Sequence, residues 1–189
     1  MILDEIKQDY VKELVLKNES EDKRELLEFR KVLLEKNFVP NAEGSCLAHL
    51  GDTKVLAGVK IGLDSPYSDR PSEGLLSFNA EFVPLAHPDF EAGPPREKAI
   101  ELARVVDRGI RGAESIDLKK MGQTGVEAKV LSVYVDLWVL DNCGNLIDCA
   151  ALAAMSALRN TRMPKIEDGK LVREESSGQL EITRSVLTC

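Results

Sequence analysis

Arg104, Arg108 and Arg111 stand four and three residues apart in the stretch ELARVVDRGIRG. On a helix, at about 100° per residue, that spacing brings all three guanidinium groups onto one stripe. A guanidinium is a planar fork that grips two oxygens of one phosphate. A four-residue step sets two such forks about 6 Å apart along the axis, close to the spacing of adjacent phosphates on an extended strand. The stripe has a second reading. Arginines late in a helix oppose its macrodipole, and Glu101 is placed to pair with Arg104 or Arg108, which would make the stripe an ordinary solvated face. Three arginines with no lysine among them favour phosphate binding without deciding between the two.

Other groups with chemical potential are dispersed. Asp136 and Asp148 could act as a carboxylate pair, but Asp148 opens a helical pattern and Asp136 sits within a strand pattern, so each has a structural use of its own. His49 and His87 have no serine or cysteine partner at a diagnostic spacing, and no phosphate-binding G-K-[ST] loop, nucleophile elbow or H-E-x-x-H motif occurs. Cys46, Cys143, Cys149 and Cys189 never form C-x-x-C and read as reduced thiols. With two histidines in the chain, no conventional zinc cluster is expected.

The chain has 189 residues, of which 43% are hydrophobic and 30% charged, and its formal net charge is -7. That balance argues against a free-standing non-specific nucleic-acid binder, which depends on a positive field. Anion binding must then be local, or completed by a more basic partner. No apolar run is long enough to span a bilayer, and MILDEIKQDY lacks the basic and apolar regions of a signal peptide, so the expectation is a cytoplasmic protein with no membrane partner.

The elements that must position the arginines can be read from periodicity. Residues 2–16 carry Leu3, Ile6, Tyr10 and Leu14 on one helical face, and SEDKRELLEF reads as a second short helix capped by Ser20. Gly51-Asp52 between two β-favouring runs predicts a hairpin. Residues 63–74 read as a surface loop and LLSFNAEFV as a strand with Phe78, Ala80 and Phe82 on one side. A helix is expected over about 96–111, with Pro94 and Pro95 at its threshold and Gly112 as its C-cap. Its Ala99, Leu102, Ala103, Val106 and Ile110 form one face, opposite Glu97, Glu101 and the three arginines. Residues 128–142 predict the strongest strand, with Val133, Val135, Leu137 and Val139 on one face. An Ala-rich helix follows, then a polar, turn-rich connection over 164–179. LEITRSVLTC reads as a final strand running to the end of the chain with an uncovered edge, so the fold is expected to stop short of completion. The order of elements predicts a mixed α/β domain.

Three segments in register, EGSCLAHLGDTKVLAGVK (43–60), PREKAIELARVVDRGIRGAESIDLKKM (95–121) and VYVDLWVLDNCGNLIDCAALAAMSAL (133–158), resemble the RNase PH family. Within it they are most similar to the non-catalytic subunit type of the archaeal exosome core. The resemblance spans most of residues 25–165. It implies an α+β fold of the ribosomal protein S5 domain 2-like kind over 25–189, preceded by a helical segment over 1–24, with the family's C-terminal portion missing. It further implies an alternating six-membered ring with a homologous catalytic subunit, RNA-binding cap subunits and single-stranded RNA threaded 3′ end first. The ring degrades RNA from 3′ to 5′ by phosphorolysis. No cofactor is implied for this chain itself; the assembled complex would use inorganic phosphate, and magnesium. Arg104 and Arg108 match the family's arginines facing the cleft, and Arg111 matches them less closely; none of the three would be a catalytic residue.

The departures from the family are specific. Asn145, Leu146 and Ile147 stand where catalytic members carry a Gly-Thr-Arg-Thr phosphate anchor. The R-x-D-G-R entry motif is replaced within SEDKRELLEF, and the catalytic aspartates fall beyond residue 189. The expectation is an RNA-binding scaffold subunit without activity of its own; the alternative is an independently active phosphate-dependent exoribonuclease of RNase PH type.

Overall fold

A computed structural model describes residues 2–126 and 128–188. The side chain of Leu3, and Cys189, lie outside the described residues. The chain divides into two units, Met1–Lys31 and Val32–Cys189.

The first unit holds α1 (Ile2–Leu16), as its periodicity predicts. The second helix expected from SEDKRELLEF does not form. Ser20 instead closes a turn: its hydroxyl accepts from the Arg24 N–H at 3.1 Å and donates to the Arg24 carbonyl at 3.0 Å, beside a bridge between Glu19 and Glu25. Side-chain hydrogen bonds of this local kind compete with helix formation. Asp22 takes bonds from the Ser20 hydroxyl and from Arg24 Nε. Chiefly through the Ser20 bond, with help from Arg24 and against the opposing effect of burial, its carboxyl is held down at about 2.

The second unit is built on a five-stranded mixed sheet in the order β1-β2-β3-β5-β4. Its strands are β1 (Val32–Lys36), β2 (Gly44–Leu50), β3 (Thr53–Asp64), β4 (Leu75–Phe82) and β5 (Val130–Asp141). β2 and β3 form the expected hairpin, with Gly51 at φ +60°, a conformation glycine adopts without a Cβ penalty. β4 and β5 run parallel, so the chain must cross back between them. That crossing carries α2 (Glu97–Gly112) and α3 (Leu118–Met121). α4 (Leu146–Arg159) follows β5, and α2 and α4 pack against each other and on the sheet. The result is the α+β arrangement of sheet and helices expected from the sequence.

The alternation in β5 decides which face is covered. Val133, Val135, Leu137 and Val139 are wholly buried, and opposite them on β3 lie Val55, Ala57, Val59 and Ile61, also wholly buried. α4 is buried almost along its length, from Cys149 to Leu158, because its alanines let the helix lie close on the strands. At Gly44 the approach is closest: a Cβ there would stand within 2.5 Å of the Ala157 carbonyl oxygen and closer still to Thr161 Oγ1. α2 buries Ala99, Leu102, Ala103, Val106 and Ile110, the face read from the sequence. Its last helical residue is Gly112, and the cap is Ala113 in a right-handed conformation, so no left-handed glycine ends the helix.

Two segments depart from expectation. Residues 164–179 are not a connection but lie within a hairpin of β6 (Arg162–Glu167) and β7 (Lys170–Gln179), turning on Asp168 and Gly169, both at positive φ. Pro164 is accommodated where the register shifts. The terminal segment after Gln179 is not a strand. Leu180 is buried in the core and Ile182 and Val186 pack on it. Its backbone is tied by Leu180 N–H to the Thr161 carbonyl and Thr183 N–H to the Ser115 carbonyl, both at 2.9 Å. The uncovered strand edge expected at the end of the described chain is therefore absent.

Candidate nucleic-acid interface

α2 is positioned by its apolar face, and the arginine stripe follows from that placement. With Leu102, Val106 and Ile110 held against the core, Arg104, Arg108 and Arg111 all lie on the exposed side. Arg104 and Arg108 make no hydrogen bond or ion pair among the described residues. Glu101 pairs with neither of them. Two guanidinium groups, one helical turn apart, thus face solvent without a partner among the described residues.

Arg111 differs. Its Nη2 donates to Asp107 Oδ1 at 2.8 Å and to the Leu76 carbonyl at 2.7 Å, and its Nε reaches Asp107 Oδ2 at 3.4 Å. Leu76 belongs to β4, which occupies one edge of the sheet. Asp107 was not singled out from the sequence, although an acidic residue four positions before an arginine is the favourable order for a helical ion pair.

The loop between β5 and α4 leads into Asn145, Leu146 and Ile147. Thr53, buried at the start of β3, accepts from the Cys143 N–H at 3.0 Å and donates to the Gly144 carbonyl at 2.7 Å. Asn145 follows at φ +59°, a left-handed conformation that asparagine tolerates, and its Nδ2 donates to Asp148 at 2.7 Å. Leu146 packs on the core and Ile147 points outward. The first turn of α4 thus presents two aliphatic side chains and the Asp148 carboxylate, a poor setting for a phosphate dianion.

The remaining candidates do not converge. Asp136 accepts from Asn79 Nδ2 at 3.2 Å on the face of the sheet opposite α4, so the strands separate it from Asp148. His49 Nε2 lies 2.8 Å from Glu35 on β1, and His87 Nδ1 accepts from the Asp89 N–H at 3.2 Å while its ring meets Phe90. Cys46 and Cys149 are buried; burial pushes the Cys149 thiol up to about 11, away from thiolate chemistry. No three His, Cys, Asp or Glu side chains come together to hold a metal ion among the described residues, and no helix there is long and apolar enough to cross a membrane.

The second unit is thus a mixed sheet backed by two helices, one of which carries an exposed arginine pair. Residues 28–164 match the family model described as "3' exoribonuclease family, domain 1", and the chain belongs to the RNase PH family. The exosome complex component Rrp42 of Archaeoglobus fulgidus is 53% identical over 163 residues, covering 86% of this chain and 62% of that protein. Its counterpart in Methanosarcina mazei is 45% identical over 168 residues, covering 89% and 63%. The chain thus spans less than two thirds of the length of these relatives. Among solved structures, an Archaeoglobus fulgidus exosome with RNA bound to the active site aligns with 48% identity and a TM-score of 0.83, over 96% of this chain and 70% of that one. An archaeal exosome core aligns with 44% identity and a TM-score of 0.78, over 96% and 67%.

Proposed function

We propose that the chain serves as a non-catalytic, RNA-binding subunit of an exosome-type ring that degrades RNA from 3′ to 5′ by phosphorolysis. In this reading Arg104 and Arg108 grip phosphates of single-stranded RNA at the junction with a homologous catalytic subunit. That partner binds the attacking phosphate, and magnesium, and RNA-binding cap subunits complete the assembly in the cytoplasm. The observation that carries the reading is the pair of solvent-facing arginines on α2, without partners among the described residues, in a chain 48% identical to one from an RNA-bound exosome. An arginine pair on the outer face suits a ligand lying between subunits. It also resolves the conflict with a net charge of -7, since the remaining positive field would come from the partner. The loop of Asn145, Leu146 and Ile147 beside Asp148 supports the absence of a phosphate site in this chain.

The first test is the native mass and subunit composition of the tagged chain recovered from its own cells. A second RNase PH-like chain in equal amount is the expected outcome; a homo-oligomer or a monomer would sink the ring assignment. In the recovered assembly, alanine at both Arg104 and Arg108 should weaken RNA binding and lower its salt slope by about 1.4, two phosphate contacts at about 0.7 each for a single strand. Phosphate-dependent release of nucleoside diphosphates by the purified chain alone would instead establish the independently active exoribonuclease.

A further inference from the structure

We infer that Arg111 is not a third phosphate ligand but a positioning residue, which with Asp107 clamps α2 to the edge strand β4 and so sets the direction in which Arg104 and Arg108 point; the inference rests on the RNA-binding reading above. Arg111 spends its Nη2 on two acceptors, Asp107 Oδ1 at 2.8 Å and the Leu76 carbonyl at 2.7 Å, while its Nε faces the same carboxylate. The guanidinium is partly withdrawn, its side chain 39% exposed, whereas Arg104 and Arg108 are exposed and unbonded. The Nε–Nη2 edge of the fork is taken by a carboxylate and a carbonyl, so a phosphate gripped bidentately on that edge would have to displace them.

The clamp adds direction to the apolar packing that seats α2. Of the five buried residues on its core face, Ala99 and Ala103 lie in its first half, and the clamp sits beside Val106 and Ile110 in its second. The polar contact is directional where the apolar ones are not. A rotation of about 20° would carry a side-chain tip at roughly 6 Å from the axis through about 2 Å, enough to lose a hydrogen bond to phosphate. The clamp also engages a backbone carbonyl on the edge strand, where sheet acceptors run short of partners.

The two roles predict opposite signs for Asp107→Ala. If Arg111 were a phosphate ligand, removing the acid would free it, lift a like-charge repulsion from the RNA and tighten binding. As a clamp, Asp107→Ala should weaken binding. The assay is the affinity of a labelled single-stranded oligoadenylate for the full chain in the assembly it purifies with, at several salt concentrations. Asp107→Ala and Arg111→Ala should each lower affinity by roughly five- to tenfold, and the double variant no further than either alone. Arg111→Lys, which keeps the charge but ends one bond short of the Nη2 position and loses the Nε contact with Asp107, should not restore affinity. Should Arg111→Ala fail to fold, Asp107→Ala and Arg111→Lys carry the test. Tighter or unchanged binding by Asp107→Ala, with Arg104→Ala and Arg108→Ala still damaging, overturns the clamp alone. If those two arginine variants bind RNA normally, the RNA-binding reading falls and takes the clamp with it.

Discussion

α2 and α4 lie in one layer on one sheet, yet they are built for different tasks. α4 is buried from Cys149 to Leu158 and touches the sheet so closely that Gly44 has no room for a side chain. α2 buries one narrow stripe and turns the rest outward. A helix enclosed by protein can only support structure, whereas a helix with one wet face can present chemistry while its other face keeps that chemistry in place. The same contrast separates their N-terminal approaches. The loop into α4 is stitched down by Thr53 and Asn145, while α2 follows the Gly93-Pro94-Pro95 turn and carries its cations exposed.

The contrast can be broken or sharpened by substitutions with graded effects. Leu158→Ala, in the wholly buried end of α4, should cost about 2–5 kcal/mol in urea unfolding; a loss near zero would mean that the burial of α4 does not hold the fold together. Gly44→Ala should cost about 1–3 kcal/mol or more, because its Cβ would meet the Ala157 carbonyl and neither backbone can give way without separating α4 from β2.

Glu43, at the start of the segment leading into β2, supplies the third case. Its side chain is 9% exposed; it accepts from Lys60 Nζ at 3.0 Å and from the Ile61 N–H at 3.2 Å, and it is also bound by Arg173 of β7. Burial alone would raise its pKa, but these three partners outweigh burial and hold it below the usual glutamate value near 4.5. A carboxyl lowered on folding contributes stability above its unfolded pKa and loses it as pH falls through the folded one. Glu43→Gln should therefore be less stable than the parent at neutral pH, with the gap closing as the solution is acidified below the ordinary glutamate range. A pH-independent gap would assign its role to shape instead of charge. The smallest effect on stability belongs to α2: Arg104→Ala with Arg108→Ala should change the unfolding free energy by no more than about 0.5 kcal/mol, since neither side chain has a partner among the described residues. A larger loss would make the stripe structural.

Much of this contrast was legible beforehand, because it rests on periodicity. The five buried positions of α2 and the four of β5 are those that helical and strand spacing select. Asp168-Gly169 was also a readable hairpin signal, but β6 and β7 are mostly polar on both faces and offer no alternation to confirm it. β1 escaped for a related reason: its five residues are mostly exposed and carry no apolar rhythm. In SEDKRELLEF, helix-forming residues lost to the turn closed by Ser20.

That three arginines share one stripe, and that this stripe opposes the apolar face of its helix, follows from the order of residues alone, because both depend on a fixed angle per residue. That order also fixed the strongest strand, β5, where Val133, Val135, Leu137 and Val139 alternate with the pleat. Only the tertiary structure decided that the arginines are not equivalent. Arg111 finds its partners in Asp107 one turn back and in a carbonyl of β4, 35 residues earlier in the chain, and no local rule reports that meeting. The terminal segment is the same kind of case: its Leu180, Ile182 and Val186 suit a strand by propensity, but the space they fill lies against the core, and packing there replaces pairing.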